Sequence, residues 1–259
     1  MPNILVIGAT DSSAGAGLTA DLETIFRLGG KCFPVFTAVT VQGPGQHFNS
    51  QVIPASVIKE QFDSILNQKI DAIKVGMLPN KESIEAVAQF FERINCPRII
   101  LDPVIKSSSG ASLLAEKDQG YLKEVLFPLV SLVTPNLFEA NRLTGKNYSS
   151  TPDFPDLAQD FISFGTKAVL IKGGHSKSIL CTDFFLDSGG SESFFEHQRI
   201  PNGTQVRGTG CRLASSIAYY LGDGQTMAGA VKSGIDYLQN SALNHSARTQ
   251  SKPRGLEVW

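Results

Sequence analysis

Along this chain, short runs of nearly unbroken apolar residues alternate with longer stretches whose apolar positions recur every three or four residues. The runs are NILVIG (3–8), FPVFTAVT (33–40), IDAIKVG (70–76), RIILD (98–102), SLVTP (131–135) and KAVLIKG (167–173). Runs of this length, without polar alternation, predict strands buried on both faces. The stretches 17–28, 56–67, 81–94, 117–127, 137–143 and 156–164 carry helical spacing, and 209–221 and 226–244 add two helices near the end. Such alternation predicts a mainly parallel sheet with helices on both faces. LCTDFFLD and SFFEHQRI, on either side of an SGGS turn, predict an antiparallel hairpin at one edge. No linker, repeat or low-complexity stretch divides the chain, so one domain over 1–259 is expected.

In an open parallel sheet, ligands bind beyond the carboxyl ends of the strands. There the chain reads GATDSSAGAG, TVQGPG, GML, DPV, TPNLFE and KGGH, so glycine, acid, amide and lysine groups collect on one side of the sheet. Charge sharpens this picture. With 23 basic against 24 acidic residues the net charge is −1, so no global field draws in nucleic acid or an anionic membrane. Any anion site has to be local. The four cysteines (Cys32, Cys96, Cys181, Cys211) form no C-x-x-C pair and the histidines are scattered, which argues against a disulfide framework or a zinc site. No run approaches the ~18 apolar residues of a membrane span, and the apolar start is too short for a secretory leader. A cytoplasmic location is expected.

The stretch RGTGCRLASSIAYYLG, from Arg207 to Gly222, sets two glycines, a threonine and a cysteine between arginines at the start of an apolar helix. A helix start leaves backbone N–H groups unpaired, and glycines remove the side chains that would block an anion. The chain lacks G-x-x-x-x-G-K-[ST], so a P-loop is excluded. An anion cradle of another architecture remains.

Taken in order, ATDSSAGAGLTADL, TAVTVQ, IKVGML, LDPV, TPNLFEA, IKGGH and RGTGC resemble the hydroxymethylpyrimidine/phosphomethylpyrimidine kinases of the ribokinase superfamily, at that family's spacing and over nearly the whole chain. The resemblance implies a three-layer α/β/α domain, usually dimeric. It would transfer the γ-phosphate of ATP to 4-amino-5-hydroxymethyl-2-methylpyrimidine and to its monophosphate, in thiamine biosynthesis. It places Gly208, Thr209, Gly210 and Cys211 under the moving phosphoryl group, with Cys211 as the base. Helix position and the flanking Arg207 and Arg212 lead one to expect a partly ionised thiolate there. Asp102 and Glu139 would hold Mg2+, a cation that prefers oxygen ligands and keeps several waters. Lys172, Gly174 and Asn136 would face the nucleotide, with Gly173 also giving it close approach. Asp21, Gln42 and Met77 would face the pyrimidine. A pyridoxine or pyridoxal kinase is the nearest alternative, and a non-catalytic pyrimidine-binding relative the more distant one.

Some positions depart from the family's usual pattern. Ser12 and Ala14 stand where proline and glycine are common, Val75 replaces a threonine, and QGPG replaces QNT. A lysine usual late in the DPV loop falls at Ser108, with Lys106 nearby, and HGTGCT has become RGTGCR. Arg212 is therefore open to two readings, an added charge at the phosphate site or an idle surface group.

Overall fold

The computed structural model describes residues 1–43, 46–107, 110–174, 180–199 and 207–250, the side chains of 43, 46–48 and 242–250 excepted. In chain order the elements are β1 (Asn3–Asp11), α1 (Gly17–Arg27), β2 (Lys31–Gly43), β3 (Gln46–Val52), α2 (Ala55–Ile65), β4 (Ala72–Val75), α3 (Lys81–Phe91), β5 (Ile99–Leu101), α4 (Glu116–Leu126) and β6 (Leu132–Val133). They continue with α5 (Leu137–Thr144), α6 (Phe154–Ser163), β7 (Ala168–Ile171), β8 (Leu180–Asp187), β9 (Glu192–Gln198), α7 (Thr209–Gly222) and α8 (Met227–Gln250).

The strands form one nine-stranded sheet in the order β3-β2-β1-β4-β5-β6-β7-β8-β9. From β2 through β7 all neighbours are parallel, while β8 and β9 continue the sheet antiparallel, as the apolar runs and the SGGS turn predict. One expectation falls short: the opposite edge is antiparallel too, because β3 folds back on β2. Its sequence, QHFNSQV, has no run of apolar residues and no regular alternation, so an edge strand of this composition carries little pattern to read.

Alternation along β1 separates two cores. Leu5 and Ile7 join Phe62, Phe90, Phe127 and Phe161 on the face covered by α2–α6. Ile4 and Val6 join Leu18, Ile25, Leu213, Ile217 and Val231 on the face covered by α1, α7 and α8. These are the three expected layers. Phe62 and Phe90 stack with ring centroids 4.1 Å apart, joining α2 to α3. Each such buried ring contributes roughly 1.5–3 kcal/mol from burial alone.

Chain order fixes where a ligand can sit. From β1 the chain passes to β2 on one side and then, through β3 and α2, to β4 on the other side of β1. The strand order reverses there, and the crevice beyond the carboxyl ends of β1 and β4 is the natural ligand position. Among the described residues, no helix is long and apolar enough to cross a membrane.

Candidate active site

A cleft of about 620 Å³ opens at this reversal, lined by the ends of β1, β4, β5, β6 and β7 and by the first turn of α7. Its size is that of a small-molecule site.

The first turn of α7 depends on Gly208. Its φ of 72° lies in the left-handed region, and an added Cβ would meet the Gly15 carbonyl oxygen at 2.4 Å. Both conformation and space therefore require glycine. Helical bonding begins when the Arg212 N–H donates to the Gly208 carbonyl at 2.9 Å, and Gly208 itself has no side chain to cap this end. The N–H groups of Thr209, Gly210 and Cys211 come before that bond, and the helix dipole adds positive potential. A Cβ on Gly210 would lie 3.3 Å from Lys172 Nζ and 3.4 Å from Asp102 Oδ2, so the turn rests directly against that pair.

Asp102 follows β5 and is anchored by its own N–H donating to the Val75 carbonyl at 2.8 Å. Its Oδ1 accepts from Lys172 Nζ at 2.8 Å and from Thr134 Oγ1 at 3.2 Å. Burial opposes the Lys172 charge, but Asp102 and Glu139 outweigh it and hold the ammonium above the ordinary lysine pKa. Asn136 and Glu139 open α5 as a reciprocal cap: each backbone N–H donates to the other's side chain at 2.9 Å. Glu139 is nonetheless buried, and burial pushes its carboxyl up to about 7, with Lys172 pulling it down and Asp102 up.

These acids suit a hard divalent cation held chiefly through water. Asp102 turns Oδ2 toward the cradle while Oδ1 is engaged, and Glu139, whose carboxyl burial raises to about 7, is an acid that a nearby cation would hold ionised.

Two expectations need correction, those for Cys211 and Asp21. The thiolate at Cys211 does not hold: burial pushes the thiol up to about 11, with Lys74 the foremost opposing influence. Both flanking arginines are committed elsewhere. Asp21 is not a free carboxylate reading a substrate edge. It is fully buried, with Oδ2 accepting from Lys74 Nζ at 2.8 Å and Oδ1 from Ser215 Oγ at 2.7 Å. Gly174 does not line the cleft, and the missing side chain of Gly173 makes room for the Thr182 carbonyl of β8, which a Cβ would meet at 2.0 Å.

Gln42 and Met77 do line the cleft. Met77 is buried beside Ala9 and Ala38. Gln42 donates to Thr40 Oγ1 at 2.6 Å and accepts from Arg207 through Oε1. Lys106 also lines the cleft and stands 4.5 Å over the Phe138 ring, whereas Ser108 and His175 lie outside the described residues. Arg212 takes neither role open to it: it donates to the Gly15 carbonyl at 3.1 Å, to the Arg207 carbonyl at 3.0 Å and to Glu23 at 2.9 Å, tying α7 to the loop before α1.

Sequence reasoning passed over Lys74 and the contacts of Arg207. Lys74 had a signal, being one cation inside the apolar run AIKV. Gly76 follows for a related reason, since a Cβ there would come within 2.8 Å of Lys74 Nζ.

Fold and site together define a ribokinase-like small-molecule kinase. Residues 11–254 match the family model for phosphomethylpyrimidine kinase, and the chain belongs to that family. It is 37% identical over 244 residues to a hydroxymethylpyrimidine/phosphomethylpyrimidine kinase of Aquifex aeolicus, covering 93% of this chain and 94% of that one. The crystal structure of phosphomethylpyrimidine kinase from Clostridium difficile 630 superposes with a TM-score of 0.81 at 29% identity, covering 93% and 99% of the two chains. A pyridoxal kinase from Staphylococcus aureus, in complex with pyridoxal, superposes with a TM-score of 0.85 at 28% identity, covering 94% and 88%. The chain spans about half the length of two bifunctional thiamine-biosynthesis relatives, 45% of one and 48% of the other.

Proposed function

We propose that this chain is an ATP-dependent kinase phosphorylating 4-amino-5-hydroxymethyl-2-methylpyrimidine and its monophosphate in thiamine biosynthesis, acting as one domain in the cytoplasm. The observation that carries this reading is the uncapped first turn of α7 set against Lys172 and Asp102, in the cleft where the strand order reverses. Phosphoryl transfer through a loose transition state asks chiefly for positioning and charge neutralisation. The amides of Gly208, Thr209, Gly210 and Cys211 supply donors to the moving phosphoryl group, and Lys172 exchanges part of its hold on Asp102 for the nucleotide phosphates. Asp102 and Glu139 would hold Mg2+, which when bound neutralises phosphate charge. Asn136 keeps Glu139 oriented through the reciprocal cap. Gln42 and Met77 face the ring, one reading its polar edge and the other its apolar face.

In this reading Cys211 enters through its amide and its shape, because burial disfavours the thiolate that would take the alcohol proton. Cys211→Ala should therefore lower kcat by less than about tenfold. A fall of about 10²-fold, with kcat rising alongside thiol ionisation, would restore a general base. A homodimer, implied by family resemblance, would find apolar ground at the exposed Val39 and Val41 of β2, and light scattering tests it.

The deciding experiment is ADP release with the aminopyrimidine alcohol, with its monophosphate and with pyridoxine, each with and without Mg2+. Turnover needing both Mg2+ and a pyrimidine acceptor is expected. Preference for pyridoxine by tenfold or more in kcat/KM, about 1.4 kcal/mol, would overturn the choice of substrate.

A further inference from the structure

Arg207 precedes the cradle and reaches back across the mouth of the cleft. Its guanidinium donates to Ser13 Oγ and to Gln42 Oε1, and lies 3.1 Å from Asp11 Oδ2. Its aliphatic stem packs over Gly15, where an added Cβ would approach Arg207 Cβ to 3.3 Å. The side chain is 17% exposed while Asp11 is 1% exposed, so the guanidinium stands between a buried carboxylate and the open cleft. Gln42 is the polar group that would read the acceptor ring, and Arg207 holds its carbonyl oxygen.

We propose that Arg207 is the specificity residue that makes the phosphorylated acceptor, rather than the free alcohol, the preferred substrate. The inference rests on reading the cleft as an aminopyrimidine site. Gln42 sits at the ring end and Gly208 at the cradle end, with Arg207 between them. A substituent running from the ring toward the cradle passes alongside the guanidinium. A neutral hydroxymethyl group that needs Gln42 displaces Arg207 and offers it no charge in return. A phosphate monoester carries about −1.5 to −2 charge and acceptor oxygens that match the planar fork of a guanidinium. Arg207 then exchanges Gln42 for the phosphate and releases the amide to the ring. Asp11 and Ser13 stay as its rear support, keeping the fork aimed during the exchange. Lysine at this position would keep the charge and lose the two-pronged geometry.

The test compares kcat/KM for the alcohol and for its monophosphate at saturating ATP and Mg2+, in the wild-type chain, Arg207→Gln and Arg207→Lys. The ratio of monophosphate to alcohol should fall tenfold or more in Arg207→Gln and by a smaller factor in Arg207→Lys, with KM for ATP shifting equally in assays with either acceptor. Equal losses with both acceptors, or a loss carried by KM for ATP, would assign Arg207 to the nucleotide or to loop support and overturn the proposal. Calorimetry on the wild-type chain needs no variant: without ATP, the monophosphate should bind at least tenfold more tightly than the alcohol, with an affinity that falls as salt rises. Equal affinities overturn the proposal. Turnover of pyridoxine alone would instead defeat the assignment of the site, a separate outcome.

Discussion

Two lysine–aspartate pairs lie below the start of α7, built alike and used differently. In one, Lys74 of β4 donates to Asp21 at 2.8 Å and Ser215 donates to the same carboxylate. In the other, Lys172 after β7 donates to Asp102 at 2.8 Å and Thr134 donates to that carboxylate. Their exposures separate them: 1% and 0% for the Lys74 and Asp21 side chains, against 13% and 4% for Lys172 and Asp102. The first pair lies at the floor of the cleft with almost no exposed surface, so neither partner can leave without stranding the other. The second faces the cleft, where an incoming phosphate can share the lysine. Identical chemistry thus gives a strut in one place and an exchangeable contact in the other, and access decides which.

Breaking the sealed pair should have the largest effect. Burial opposes the Lys74 charge, while Asp21 holds its pKa above the ordinary lysine value. Lys74→Met leaves Asp21 buried without its cation, and a loss of about 3–5 kcal/mol in unfolding free energy is expected. Denaturant titration measures it. Adding Asp21→Leu to that variant should recover much of the loss, because removing both charges leaves nothing stranded. A loss under about 1 kcal/mol in the single variant would mean the pair is not sealed.

The open pair should respond in activity instead. Lys172→Met is expected to lower kcat/KM by about 10³-fold, ~4 kcal/mol of transition-state stabilisation. Its stability change should be smaller than that of Lys74→Met, since water and the cleft can solvate Asp102. Should stability fall as far as with Lys74→Met while activity per folded molecule holds, the contrast between the pairs would vanish.

The open pair has Glu139 acting on its lysine, and this acid gives a pH signature. Glu139 is raised by burial to about 7 from an ordinary value of 4.5. An acid with a raised folded pKa stabilises the fold most below its unfolded pKa, and this stability is lost as pH rises through the folded value. Without Mg2+, unfolding free energy should therefore drop between about pH 4.5 and 7, by an amount on the order of 3 kcal/mol. Glu139→Gln should flatten that slope. A slope unchanged in the variant would place the titration elsewhere.

How much of this could be read beforehand depends on where each constraint comes from. Gly208, Gly210, Asp102 and Lys172 were readable because each answers a local demand: a left-handed turn, a clear approach, a charged residue at a strand end. Their meeting in space follows from parallel strands ending on one side. Asp21 misled because its partner stands 53 residues away on another element and nothing in LTADL announces it. The thiol of Cys211 misled for a related reason. Charges adjacent in sequence at Arg207 and Arg212 turn away to Gln42 and Glu23, so burial rather than neighbouring charge sets its protonation.

The smallest test separates the pairs by their supporting hydroxyls. Ser215 Oγ donates to Asp21 at 2.7 Å with both residues at 0% exposure, whereas Thr134 Oγ1 donates to Asp102 at a longer 3.2 Å. A hydrogen bond to a buried charge is worth about 1.5–3 kcal/mol. Ser215→Ala should cost near the lower end of that range, since Lys74 still partners the carboxylate. Thr134→Val preserves shape, and a stability loss under about 1 kcal/mol is expected, because Lys172 continues to hold the same oxygen. Its effect should fall on KM for ATP, through a looser Asp102 and a lysine more tightly drawn to it. If denaturation finds the two losses equal and KM for ATP unmoved in Thr134→Val, exposure has no bearing on what the hydroxyls do, and the sealed and open pairs differ only in their place in the fold.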